Sequence, residues 1–133
     1  MANRLYPEGA EKILGTLDLT AVTVKAALLS DAYTYSAAHE FLSDISASVL
    51  STAQTLASKA VTGGVFDAAD VVYTAVTPGA TARYVALYHD TGVAGTSSLI
   101  FLVDTATGLP MATNGGDITV QWDNGTNKIF SLV

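Results

Sequence analysis

Apolar and polar positions alternate over short runs along most of this chain, and near the start they follow a helical spacing. Pro7–Gly15 is that helical stretch. Pro7 suits a first helical position, Glu8 and Glu11 suit the positive end of the dipole, and Gly15 can stop it. A helix of about two turns is marginal alone and must dock on its own core or on a neighbour. From Thr20 the period changes to two: Val22-Thr23-Val24-Lys25 alternates and runs into the apolar residues 26–29, as a strand entering a core does. Residues 36–45 predict a second short helix, with Ser36 as cap and Phe41, Leu42 and Ile45 as its apolar stripe.

Further strands are predicted at residues 48–53, 55–61 and 70–76, with turns at Gly63-Gly64 and Pro78-Gly79. Residues 83–89 and 98–104 form the most apolar strands, separated by the glycine-containing loop 90–96. Leu99-Ile100-Phe101-Leu102-Val103 is apolar on both faces, which requires a central strand or one covered by a partner. Ile118, Val120 and Trp122 alternate with Thr119 and Gln121, and Asp123-Asn124-Gly125-Thr126 turns the chain into residues 128–133, a C-terminal hairpin. The pattern predicts a mostly β chain: a β-sandwich or jelly roll of eight or nine short strands with one or two short helices, a β-barrel being the competing architecture. Length fits one domain over residues 1–133, divided into an N-terminal arm or short helix (1–15) and a β body (17–133).

Composition narrows the partners. Half of the residues are apolar and 14% are charged, against about 25% in an average domain. So little charge leaves surface for partner subunits to cover, and a homo-oligomer, dimer or trimer, is expected. The net charge of −6 repels phosphate backbones, and Arg4, Lys12, Lys25, Lys59, Arg83 and Lys128 are scattered, so nucleic acid is not an expected partner. No apolar run approaches the length of a membrane helix, and the first residues carry no apolar stretch of a secretory signal, so folding in the cytoplasm and no membrane partner are expected. Absence of cysteine excludes disulfide and zinc–thiolate frameworks.

Chemistry-bearing residues are sparse. His39-Glu40 falls on the predicted second helix and His89-Asp90 at a strand end, so a Ser–His–Asp hydrolase built on His89 is conceivable. No Gly-x-Ser-x-Gly elbow accompanies it, and ordinary surface or cap roles are favoured. Asp104, Asp117, Asp123, Asn124 and Asn127 are oxygen ligands that suit calcium, but none sits in a spaced Asp-x-Asp-x-Asp-Gly loop; turn chemistry explains them, as it explains Asp67 and Asp70. Gly63-Gly64 and Gly115-Gly116 lead into strand-like sequence rather than helices, which disfavours a phosphate cradle. Tyr84 and Tyr88 share a strand face that could stack on carbohydrate but better fits a sheet interior or subunit interface, and Trp122 belongs with the core. No catalytic residue, metal or cofactor is expected.

Four segments carry a family likeness: Tyr33-Thr34-Tyr35-Ser36-Ala37-Ala38-His39-Glu40-Phe41-Leu42-Ser43-Asp44-Ile45, Val65-Phe66-Asp67-Ala68-Ala69-Asp70-Val71, Asp104-Thr105-Ala106-Thr107-Gly108-Leu109-Pro110, and Asn114-Gly115-Gly116-Asp117-Ile118-Thr119-Val120-Gln121-Trp122-Asp123-Asn124-Gly125. As a set they resemble small proteins encoded among the virion-structure genes of tailed phages, over residues 17–130. The resemblance implies a non-enzymatic virion component similar to capsid decoration (cement) proteins, found on the outer surface of the head with the major capsid protein as partner. Alternatives are a tail or head–tail joining protein and a carbohydrate- or receptor-binding β module. The contact elements expected for such a role are the first fifteen residues, through Leu5, Tyr6, Ile13 and Leu14, and the 33–45 segment, through Tyr33, Tyr35 and Phe41. Removing residues 1–11 is expected to leave a folded body that binds its partner weakly.

Overall fold

The structure is a computed structural model that describes residues 3–15, 17–104, 106–122 and 128–131. One helix, α1 (Pro7–Gly15), accompanies the strands β1 (Arg4–Leu5), β2 (Val24–Ser30), β3 (Gln54–Thr55), β4 (Ala60–Thr62), β5 (Val65–Asp67), β6 (Val71–Tyr73), β7 (Thr81–His89), β8 (Ser98–Val103), β9 (Met111–Ala112), β10 (Ile118–Val120) and β11 (Phe130–Ser131). The main sheet runs β1-β8-β7-β2-β3, with β9 also paired to β7; smaller sheets are β10-β6 and β11-β5-β4. Every pairing is antiparallel. The fold is mostly β and sandwich-like, as the sequence pattern predicts.

Alternation along β2 and β7 decides how the layers form. Val24, Ala26 and Leu28 point with Val85 and Leu87 to one face, while Ala27 and Leu29 point with Tyr84, Ala86 and Tyr88 to the other. The first face packs on the small sheets through Phe66, Val71, Tyr73, Ile118, Val120, Trp122 and Phe130. The second is covered by Tyr6 and by Tyr33, Leu42, Ile45 and Val49 of the connection between β2 and β3. All six residues of β8 are buried, so its two-sided apolarity is satisfied within one chain. Between β7 and β8 the register shifts, because Leu87 faces Phe101 while Tyr88 faces Leu99. Ile100 is the extra residue of that bulge, which turns it toward the larger core.

The N-terminal helix forms where the sequence places it, and its docking is set by one glycine. A Cβ on Gly9 would stand 2.3 Å from the Leu99 carbonyl oxygen and 2.8 Å from the Ile100 Cα, so only glycine lets α1 lie against β8. Ahead of it, Arg4 and Leu5 pair with Leu102 and Phe101, and the Tyr6 amide donates to the Ile100 carbonyl. The segment expected to reach a neighbour is thus seated on its own sheet. The expectation that the domain stays intact without residues 1–11 does not carry over, since that deletion removes β1 and the fully buried Tyr6.

Other departures have local causes. Residues 36–45 form no α-helix; 3-10 turns occupy Leu42–Asp44 and Ser46–Ser48. The Leu99 amide donates to the Glu40 carbonyl and the Leu42 amide to the Ser97 carbonyl, so backbone groups a helix would use internally are spent on β8. The predicted strand 48–53 contributes a single bridge, Val49 to Leu29. The predicted strand 55–61 is divided between two sheets, with Ser58 at φ +54 between them. Strands β10 and β11 do not make a hairpin: β10 pairs with β6 and β11 with β5, and the predicted turn at 123–126 lies outside the described residues. Gly63 and Gly64, at φ +59 and +82, close a two-residue β4–β5 hairpin of the type that needs positive φ at both positions.

The Gly9 contact gives a direct test. Gly9→Val should destabilise the protein by about 1–3 kcal/mol through overpacking against rigid backbone. Gly15→Ala, where nothing lies within 4 Å of the added carbon, should not. Urea denaturation of both variants beside the parent measures the difference.

Candidate functional site

Two stretches distant in sequence meet at the outer edge of β8. Residues 4–6 pair along Leu102 to Ile100, and residues 40–42 continue the line along Leu99 to Ser97, with a bridge between Phe41 and Ser98. Their side chains interlock. The Tyr6 and Tyr33 hydroxyls are 2.8 Å apart, and the Tyr33 hydroxyl lies 2.8 Å from Nδ1 of His39. The Tyr35 ring lies 5.4 Å from that of Tyr6, its hydroxyl donates to the Leu5 carbonyl, and the Arg4 guanidinium stands 4.7 Å over its face. Lys12 of α1 bonds Glu40 at 2.9 Å and lies over Phe41.

Five of the seven residues expected as partner contacts, Leu5, Tyr6, Tyr33, Tyr35 and Phe41, are therefore neighbours on this edge. Tyr6 is fully buried and Tyr33 nearly so, which makes them the interior of the junction rather than its surface. Burial holds both hydroxyls protonated by raising their pKa values, and for Tyr33 the bond from Tyr6 works the other way. Asp44 fixes the far end: its carboxylate accepts from the Phe41 and Glu40 amides, and those two bonds hold its pKa below the ordinary aspartate value.

Ile13 and Leu14 lie elsewhere, at the end of α1. Ile13 lines an apolar cleft of 380 Å³ with Leu17, Leu19, Val61, Phe66 and Phe130. Leu14 is 81% exposed and Val61 51%, the first and third most exposed of the large apolar side chains among the described residues. The alternation of β4 could not reveal this cleft, because its walls come from four separate stretches of chain.

The remaining candidates are dispersed. His89 pairs across strands with Val24 and Ser98, and among the described residues no hydrogen bond joins it to a hydroxyl or carboxylate. Asp90 instead accepts from the Gly92 amide and pairs with Lys25 at 3.2 Å; the amide bond is the main reason its pKa lies low. Asp104 pairs with Arg83 at 3.2 Å, Asp117 accepts from the Ala75 amide, and Asp70 accepts from the Trp122 amide. Asp123, Asn124 and Asn127 lie outside the described residues. Among the described residues no three His, Asp or Glu side chains gather to hold a metal ion. Tyr84 and Tyr88 are buried in the sheet's second face, so neither offers a stacking platform. Comparison of the chain with protein-family models and with curated proteins finds no match.

Tyr33→Phe should destabilise by about 1–3 kcal/mol, because it removes the partner of a buried hydroxyl while keeping the ring. Chemical denaturation checks it, and a stability equal to the parent's would show that the hydroxyl chain does not hold the junction. Asp44 adds a pH dependence of known sign. Its folded pKa lies below the unfolded one, so its contribution is complete above the unfolded value and is lost as pH falls through the folded one. Asp44→Ala should therefore be less stable than the parent at neutral pH and converge with it in acid, as urea midpoints measured across pH would record.

Proposed function

We propose that this chain is a non-enzymatic structural protein of a tailed-phage particle, a decoration protein that binds the outside of the assembled head as a homo-oligomer and stabilises it. The observation that carries a packing role is the uncovered apolar cleft, where Val61 is exposed beside Ile13, Leu17 and Phe66, together with the exposed Leu14 that follows Ile13 in the chain. Such surface is tolerated when a partner covers it. The position on a phage head rests on the family likeness of the four sequence segments, and the major capsid protein is the partner it names. A protein that binds the closed shell and not its separate subunits stabilises the shell by mass action. This needs extensive complementary surface and no reactive group, which suits a chain whose ionisable side chains are mostly occupied with their own turns and strand ends.

The test is immunogold labelling of intact particles viewed by electron microscopy. Gold distributed over the head is the expected result. Gold confined to the neck or tail would replace the decoration role with a joining or tail role, and particles without gold would overturn an exposed position on the virion.

A further inference from the structure

The edges of the sheets are treated unequally. The outer edge of β8 is sealed twice over, by residues 4–6 and 40–42, and the strand that ends that sheet is short and carries Arg4. Short strands, charge and cover are the devices that keep an edge from pairing with another chain. Strand β4 is also short, but Ala60-Val61-Thr62 carries no charge, all three residues are exposed, and among the described residues no strand lies beyond it. Its loop, Gly63-Gly64, adds no side chain that would obstruct an approach.

Hydrogen-bond directions single out Val61. It stands opposite Phe66, whose carbonyl is turned away from β4 to accept from the Ile129 amide. In an antiparallel ladder bonded and non-bonded pairs alternate, so Thr62–Val65 and Ala60–Asp67 are the bonded pairs and Val61 directs its N–H and C=O outward. Neither group finds a partner among the described residues. Val61 also shares a face with Phe66, and both line the apolar cleft.

From this we infer that the open edge of β4 is the pairing site for a second copy of the chain, antiparallel and two-fold symmetric, with Val61 opposite its counterpart. The occupant follows from the chemistry of the strand. Two copies of Ala60-Val61-Thr62 oppose only small uncharged side chains, and Val61 exchanges both of its main-chain bonds with itself across the axis. In this register Lys59 meets Gly63, so no like charges are opposed. Among the described residues Asp18 is the one charged residue lining the cleft, and Lys59 lies within its electrostatic reach, so the cleft presents no cluster of like charge to a charged partner. Pairing joins two three-stranded sheets into one continuous sheet and places the two clefts on the same side of it. Two main-chain bonds are few, and the apolar surface around each cleft supplies the rest of the driving force. The inference rests on the proposed function only in expecting an oligomer, and it is tested on the isolated protein, apart from any particle.

Light scattering coupled to size exclusion should find the full chain as a dimer that dissociates on dilution. Val61→Pro removes the outward N–H without touching a bond of the β4–β5 hairpin, so it should be folded by circular dichroism and monomeric where the parent is dimeric. Val61→Cys supplies a second measurement that does not depend on the proline variant folding. The chain has no cysteine, and a bonded antiparallel pair sets Cα atoms about 5.5 Å apart, within reach of a disulfide. Mild oxidation should give a covalent dimer with Val61→Cys and not with Val93→Cys, which is more exposed and lies in the loop between β7 and β8. A parent that is monomeric at every concentration, a trimer, a folded Val61→Pro variant that still dimerises, or equal cross-linking at both cysteines would each overturn the pairing. None of these results bears on whether the protein sits on a phage head, which the labelling experiment decides.

Discussion

The structure depends on closing the outer edge of β8. That strand is buried on both faces, pairs with β7 on one side, and would otherwise present a row of unpaired backbone groups next to an apolar core. Residues 4–6 and 40–42 close it in tandem, and neither could do so alone, because each supplies only two or three residues. The contacts of Tyr33 with Tyr6 and of Lys12 with Glu40 tie the two covers to each other. The Tyr6–Tyr33 tie is buried, so losing one hydroxyl leaves the other unsatisfied, whereas Lys12 and Glu40 are each partly exposed and water can take the place of either partner.

This constraint also explains what the sequence pattern does and does not disclose. The long strands β2, β7 and β8 were legible because each carries its own burial signal over six or more residues. The helix was legible because Pro7, Glu8 in the first turn and Gly15 mark its ends locally. Residues 36–45 also carry a helical pattern, yet the edge of β8 takes their backbone groups; no local signal encodes that competition. Strands β1, β5 and β9, of two or three residues each, have too few positions for any period to show and exist only through their partners. The same holds for the last hairpin: the alternation at Ile118, Val120 and Trp122 is real, but neighbours in sequence went to different sheets.

For the candidate site, residue type was readable and placement was not. The expected contact residues are apolar or aromatic near the chain's start and in the 33–45 segment, and the structure divides them by function. Tyr6 and Tyr33 belong to the sealed junction, whereas Ile13 lines an open cleft and Leu14 is exposed to solvent. An apolar residue near a terminus has the same sequence signature in both situations. What separates them is whether another part of the same chain arrives to cover it, and for residues 4–6 the piece that completes the cover, Tyr33 and its neighbours, lies about thirty residues away.

The same accounting applied to the aspartates leaves little for chemistry. Asp44 serves the turn that seals β8, Asp70 anchors the Trp122 amide, Asp117 holds the backbone at Ala75, and Asp90 divides itself between a turn amide and Lys25. Acidic residues account for the net charge of −6, yet these are each placed where an unpaired N–H or a cation needs an acceptor. With acidic groups tied to structure in this way and few charges in total, the exposed surface is carried mainly by small uncharged residues such as Ser, Thr, Gly and Ala. Contact with such a surface depends on shape and on hydrogen-bond register more than on charge.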